Sequence, residues 1–531
     1  MDRLPTELYG AILRQLAKDD RTSTTLALTR AIPRSPVPRA YLFETIRLHK
    51  AKQVLLLYQH LRRAGGKDSQ EAAWVREFIL DAWTVDGQIV VNLLELLPRI
   101  RVLTLSIGTS FMPEHLEEVF QAPRIDLLAL FVRFRPYVER ATYYQFLKVS
   151  GTKTRVCDPS PAFQGSYFDG MITHLAAWPS SSLRQLSVIQ DVPPTLDHSF
   201  AQPIVFFSLE PLTALCRSKT LLNVQHFRLC IPSRQIASFL THPMANVHNV
   251  TLLDLSTTNV TRDGLAAILG RFTGLEHLLL DDCGLVARAV EISGEFAALG
   301  VLCASSMLRR ARQREKEIKE FVEAEAAAKR RAVAERCAGP AESIAGARAG
   351  KAGKGRRGVA TATFSLREKP APKSKPPGLT NSSGRDLPPA LASLAKVRVL
   401  PSLPCLKSLS TTTFSIPTPT VVSEWRHDFA RGWGDGLTMV TATRMRLFRS
   451  RANGIIRLFE FDSIANPELE APLQGLRELH LDDPDFGAEL ADTEPPVLCF
   501  AGSRTQGDHT ESCGHLSSWE VLGTSTKETI L

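Results

Sequence analysis

No apolar run of about 18 residues occurs in the 531 residues, so the sequence predicts no membrane-spanning helix. Nor is there a basic-then-apolar leader after the opening Met1-Asp2-Arg3-Leu4-Pro5, and the expected compartment is the cytoplasm, the nucleus or both. The sequons at Asn249, Asn259 and Asn381 are then expected to stay unmodified. The nine cysteines are odd in number and scattered, with no CxxC pair, and their spacing implies neither a disulfide framework nor a zinc site. His509, Cys513 and His515 come nearest to a ligand set and read as part of a solvated tail.

Recognisable catalytic motifs are missing too: no GxxxxGK[ST], no HExxH and no GxSxG. A GxGxxG string over residues 353–358 follows no strand and opens no helix, and so reads as chance. His427-Asp428, between Trp425 and Trp433, reads as a turn with partly buried aromatics. The sequence therefore predicts a non-enzymatic protein with no catalytic residues, no cofactor and no metal.

What is present is a globular balance, 44% hydrophobic and 22% charged residues, long enough for three or four domains or one repeat array. The net charge of +9 is local. Residues 301–375 hold 19 Lys/Arg against 8 Asp/Glu, which leaves −2 for the rest of the chain. Within that stretch, residues 305–336 are rich in Ala, Glu, Lys and Arg and predict an exposed helix, with Ser305 or Ser306 as its cap. Glu315 with Lys319 and Glu325 with Lys329 stand at the i,i+4 spacing that supports it. Residues 337–395 are rich in Gly, Ala, Lys and Pro and too poor in apolar surface to offset the entropy of ordering, so they predict a disordered basic linker. Phe321 and Phe364 are the only aromatics nearby, which serves base stacking poorly, and nucleic acid is not an expected partner.

A weak repeat flanks this segment. Its clearest copy runs from Leu275 to Leu285, LEHLLLDDCGL, the LxxLxLxxCxL of a leucine-rich repeat's strand and turn. Alternate leucines of such a strand point into a solenoid core, and the cysteine satisfies backbone groups at the turn. Related starts fall at Ile100, Ile125, Leu183, Val224, Val250, Ile456 and Leu476, with partial matches at Leu406 and Leu437. Such six-position matches arise by chance about once in 27 positions. Spacing carries the reading instead: Val224 to Val250 is 26 residues and Val250 to Leu275 is 25, within the range of this repeat class. An irregular α/β domain with alternating strands is the alternative. Residues 148–165 fit no pattern and read as a surface loop or as translated intron sequence.

At the amino terminus Leu4, Leu8 and Ile12 recur every four residues, with Leu13 and Leu16 beside them, which predicts an amphipathic helix with Pro5 in its first turn. A polar break over residues 18–25 precedes a second short helix, residues 26–32, stopped by Pro33. The run Leu4-Pro5-x-Glu7-Leu8-x-x-x-Ile12-Leu13-x-x-Leu16, followed by Leu26-x-Leu28-Thr29-Arg30 and by residues 41–48 (YLFETIRL), resembles the F-box family, in particular fungal F-box-like proteins with leucine-rich repeats. The resemblance covers about the first 48 residues. It implies a substrate receptor of a Skp–cullin–F-box ubiquitin ligase. Leu4, Pro5, Leu8, Ile12, Leu13 and Leu16 would meet a Skp-type adaptor, and the repeats would hold an unknown substrate protein. The alternative is a repeat scaffold with no ligase role.

The expected architecture is α/β: a helical F-box-like module (residues 1–48), a helical connector (49–99), a leucine-rich-repeat body in two parts (100–304 and 396–487), a charged helix (305–336), the basic linker (337–395) and an irregular tail (488–531). Because lengthening a loop adds little closure entropy, deleting residues 340–389 should leave the thermal transition of the purified chain nearly unmoved. Loss of soluble expression would make this segment part of the folded body.

Overall fold

The structure, a computed structural model, describes residues 4–34, 36–108, 110–135, 167–179, 182–191, 209–242, 244–283, 285, 294–337, 394, 396–412, 419–461, 473, 475–479, 493–501, 509 and 512–515. The unpatterned segment 148–165, almost all of the basic linker and much of the tail lie outside these residues.

One parallel sheet organises the chain. Its ten strands follow in chain order: β1 (Thr45–Leu48), β2 (Glu77–Leu80), β3 (Val102–Ile107), β4 (Ala129–Phe134), β5 (Gln185–Gln190), β6 (His226–Cys230), β7 (Leu252–Asp254), β8 (His277–Leu279), β10 (Ser408–Ser410) and β13 (Val497–Cys499). Three further strands, β9 (Val397–Val399), β11 (Arg457–Phe461) and β12 (Leu476–Glu478), form a second sheet in which β11 pairs parallel with β9 and antiparallel with β12. Helices fill the connections of the large sheet, as parallel pairing requires a crossover between neighbours. Strand, turn and helix thus recur along the sheet, each unit stacked on the one before it. Among the described residues no helix is long and apolar enough to cross a membrane.

The register explains the ladder. Ile46, Phe78, Leu103, Leu130, Leu186, Phe227, Leu253, Leu278, Leu409 and Leu498 pair strand to strand as one unbroken row. All ten are buried in one continuous core. At the turn, Cys283 Sγ donates to the carbonyl of Leu255 in the preceding unit at 3.0 Å, as the repeat pattern predicts. In the preceding unit the equivalent position is filled by Thr258, whose hydroxyl donates to Leu255 O at 2.6 Å. Thr257 and Asp282, at matching places in these two units, both take left-handed backbone with φ of 67° and 56°.

Several expectations need correction. The sheet begins at β1, so residues 49–99 contain a strand as well as helices. Val75-x-x-Phe78-x-Leu80 is a full unit of the array, all three side chains buried. The unit expected from Ile125 starts instead at Leu127: Ile125 is 74% exposed, whereas Leu127, Leu130 and Val132 are buried. Leu406 leads into the large sheet, but Ile456 and Leu476 lead into the small one, and Leu437 lies within a helix. The polar stretch 18–25 does not break the chain into two helices. It belongs to one, Lys18–Ala31, whose polar residues are compatible with a helix packed on one side only.

The charged segment is the largest revision. Its helix begins ten residues earlier and runs from Glu295 to Cys337, so Ser305 and Ser306 are interior; their hydroxyls donate to Val301 O and Cys303 O. It is not free in solvent. Ala304, Met307, Ala311, Ile318 and Val322 are buried, and Glu315 reaches Arg398 and the amide of Val399 in β9 rather than Lys319. Glu325 does pair with Lys329, at 2.8 Å. The helix Pro419–Ala452 lies beside it and parallel to it, Gly432 against Ala297 and Gly436 against Ala304. A Cβ at Gly432 would overlap the carbonyl of Ala297, and one at Gly300 the carbonyl of Phe429, so glycine sets the approach of the two helices. His427 and Asp428 sit on this helix and not in a turn. Asp428 pairs with Arg431, Trp425 stacks on Phe296 at 4.9 Å, and Trp433 is buried.

Replacing Leu278 and Leu280 with Asp should abolish the cooperative melt seen by circular dichroism, because each would place an unpaired carboxylate in the core row. Glu276→Lys removes only a surface pair with Lys407 and should shift stability by no more than about 1 kcal/mol. Equal tolerance at the three positions would contradict the inward direction of the row.

Candidate functional site

Side chains alternate along a strand, so the residues between the core positions form the opposite face of the sheet. Through the middle of that face the register lines up Arg47, Ile79, Thr104, Phe131, Ser187, Arg228, Asp254, Leu279, Ser410 and Cys499. The row is mixed where the core row is uniformly apolar. Near its early end Arg135 lies over the Trp83 ring at 4.5 Å and Arg133 at 5.9 Å, and Arg133 also pairs with Asp191 at 2.6 Å. Arg133 and Arg135 are exposed. Farther along, Arg228 and the buried Asp254 form an ion pair at 2.5 Å. An arginine–aromatic surface with polar neighbours is suited to protein contact.

The amino-terminal helices form the second feature. Helix α1 (Thr6–Gln15) packs with α2 (Lys18–Ala31) and α3 (Ala40–Glu44) around a small core of Tyr9, Leu13 and Val37, with Leu4, Leu16, Leu28 and Tyr41 at its margin. Arg21 Nε donates to Leu13 O at 3.1 Å and so satisfies a carbonyl near the end of α1. The six residues named from the family resemblance are thereby divided. Leu13 is fully buried, and Leu4 and Leu16 pack against the module's own core. Pro5 is exposed, while Leu8 is 49% and Ile12 54% exposed. Leu13 therefore leaves the outward stripe. Helical geometry at four-residue spacing keeps the exposed Leu8 and Ile12 on one face.

A third feature contradicts the reading of the last residues as solvated. Cys513 and His515 are buried, and beside them lie the buried Cys499 of β13 and the partly exposed His509. Cys499 Sγ lies 3.6 Å from His509 Nδ1 and 3.5 Å from His515 Nδ1. Cys513 Sγ lies 3.8 Å and 3.1 Å from the same two nitrogens. On its far side His515 Nε2 meets Asp281 Oδ2 at 2.6 Å, and Ser410 Oγ donates to the other carboxylate oxygen at 2.6 Å. The hydrogen bond with the Cys513 thiol and burial together push the Cys499 thiol up to about 12. Burial pulls His515 down, but its bonds to Asp281 and Cys499 outweigh that and raise it to about 9. The sequence offered only the His509–Cys513–His515 spacing as a signal; Cys499 and Asp281 are brought in by the sheet.

No family model matches the chain, and no curated protein matches it. Among solved structures the chain is similar to an internalin from Listeria monocytogenes, at 9% identity and a TM-score of 0.22 over 43% of this chain and 46% of the internalin. The match thus spans less than half the length of that protein.

Three histidines along the solenoid are held below the ordinary imidazole value. Burial acts on His226, on His248 together with Arg271 and Arg310, and on His277, where Glu276 opposes it and Lys407 and His226 reinforce it. A depressed histidine favours the fold in its neutral form. That contribution is complete above about pH 6.5, the unfolded value, and is lost as pH falls below it. The melting temperature should therefore drop on acidification from about pH 6.5 to about pH 5.5, below the range over which the contribution of the raised His515 varies, and His277→Gln should flatten the drop. An unchanged slope in that variant would exclude His277 as a contributor.

Proposed function

We propose that this chain is a non-enzymatic substrate receptor of a Skp–cullin–F-box ubiquitin ligase. Helix α1 docks on a Skp-type adaptor, and the outward face of the sheet holds a substrate protein. The observation that carries the reading is the exposure of Leu8 and Ile12, two large apolar side chains one turn apart that the module's own core does not use. Uncovered apolar pairs on a helix are the usual anchors of a partner interface. The resemblance of the first 48 residues to the F-box pattern supplies the identity of that partner. Catalysis in this reading belongs to the ligase machinery; this chain brings a substrate close and raises its effective concentration. Nucleic acid, membrane and cofactor have no part in it.

A second reading, a repeat scaffold without a ligase, is favoured by one feature. Helix α3 ends at Glu44 and β1 starts at Thr45, so the helical module is continuous with the first strand and serves as an end cap of the solenoid.

Adaptor pull-down separates the two. Leu8→Ala with Ile12→Ala should abolish capture of the adaptor while circular dichroism stays that of the wild type. Each buried leucine-sized side chain contributes roughly 1.5–3 kcal/mol, so the pair should weaken binding by at least about a hundredfold. Leu13→Ala should instead destabilise the module. If the wild-type chain captures no adaptor at micromolar concentration, the receptor reading fails and the scaffold reading replaces it.

A further inference from the structure

We propose that Cys499, His509, Cys513 and His515 bind one zinc ion, which fastens the carboxy-terminal segment over the last strands of the sheet. Each of the four residues offers one ligand atom, and all four atoms lie within 4.8 Å of one another. Zinc bound tetrahedrally to two thiolates at about 2.3 Å and two imidazoles at about 2.0–2.1 Å sets sulfur and nitrogen about 3.6 Å apart. The four sulfur–nitrogen distances here are 3.6, 3.5, 3.8 and 3.1 Å. Only the last needs to lengthen. Both imidazoles turn Nδ1 toward the thiols, so each offers one ring nitrogen to the ion.

The surroundings support a metal centre as well. A ligating histidine commonly gives its other ring nitrogen's proton to a carboxylate, which fixes the ring and its tautomer. Asp281 stands in that position behind His515 and is itself held by Ser410. The set of two sulfurs and two nitrogens suits zinc, whereas magnesium and calcium prefer oxygen ligands. Cys499, Cys513 and His515 are at most 2% exposed, and four protein ligands leave no open coordination position, so the site is structural and not catalytic. Each thiol releases its proton to solvent as the ion binds, and nothing is oxidised or reduced.

Close approach of the chain completes the clamp. Gly514 lies between two of the ligands, and a Cβ there would sit 2.8 Å from Ser408 Oγ and 3.1 Å from His277 Cβ. Gly514 against Ser408 and His515 against Ser410 place the clamped segment over two side chains of the outward face, both 1% exposed.

The test uses the full chain. Protein purified without chelator should hold one zinc per chain by elemental mass spectrometry. After chelation and dialysis, cobalt(II) should give thiolate charge-transfer and tetrahedral d–d absorption, and zinc should bleach both. His509→Ala, at the partly exposed ligand, and Cys513→Ser should each remove the bound metal. Cys405→Ser, at an exposed cysteine elsewhere, should keep it. The cobalt spectrum of the wild type tests the site even where a variant fails to fold. An absent cobalt spectrum, metal retained equally in His509→Ala and Cys513→Ser, or a Cys499–Cys513 disulfide in the intact protein would each overturn the assignment.

Discussion

The structure depends on one row of side chains. From Ile46 to Leu498 every strand of the large sheet contributes one apolar residue to the same inward line, in register with its neighbours. A strand of three to six residues cannot bury such a face alone; it is covered only by the strands on either side and the helices behind. Position in the row therefore matters more than the type of apolar residue, and Ile46, Phe78 and Phe227 stand where the pattern elsewhere has leucine. The same dependence leaves two units, the first and the last, with one flank uncovered. Helix α3 adjoins the first, with Phe43 packed against the main core. The segment holding Cys513 and His515 lies over the outward side of the last.

Neighbouring units are also coupled through polar groups. Helix ends and the loops after them leave carbonyls without helical partners, and arginines of a later unit reach back to such groups. Arg124 donates to Leu94 O and Leu97 O, Arg271 to Ala245 O, and Arg310 to Arg271 O. The long helices beginning at Glu295 and Pro419 enlarge this scheme and keep its geometry. They follow β8 and β10, run parallel because those strands do, and approach closely where Gly300, Gly432 and Gly436 remove side-chain bulk. The small sheet packs against the far part of the first helix through Ala311, Ile318 and Val322. A long detour in sequence thus stays inside the array, consistent with the slow growth of closure entropy with loop length.

The clearest repeat was legible from Leu275 to Cys283 because both its periodicity and its turn residue matched. Other units were hidden for separate physical reasons. Val75-x-x-Phe78-x-Leu80 has the same residue types as Val224-x-x-Phe227-x-Leu229, and only its place in the sheet tells it from the chance matches of a six-position template. In IDLLAL, several apolar residues satisfy the same template, and only burial selects Leu127 over Ile125. Ile456 and Leu476 carry the right alternation, but alternation states which side chains share a face and not which strand lies beside them. The amphipathic stripe of α1 was visible, yet its division into inward Leu13 and outward Leu8 and Ile12 required α2 and α3. The cysteine–histidine cluster was the least legible. Its carboxylate, Asp281, is 234 residues from His515 in sequence and adjacent only because β8, β10 and β13 are neighbours.

Covering the outward face over β8, β10 and β13 has a consequence for where a partner protein can sit. The side chains that remain open are toward the early strands, where Arg133 and Arg135 flank Trp83 and Arg47 is exposed. Helix α1 belongs to the same end of the chain, packed on the module whose last helix, α3, runs directly into β1. Under the receptor reading, a partner on the early strands and an adaptor on Leu8 and Ile12 would be related by packed protein and not by a flexible tether. Effective concentration then depends on a fixed geometry, which a rigid connection sets more narrowly than a chain whose ends wander with the square root of its length. The closed carboxy-terminal end and the open amino-terminal end are thus complementary parts of one arrangement. Under the receptor reading, covering the last strands would confine binding to the end of the sheet that carries helix α1.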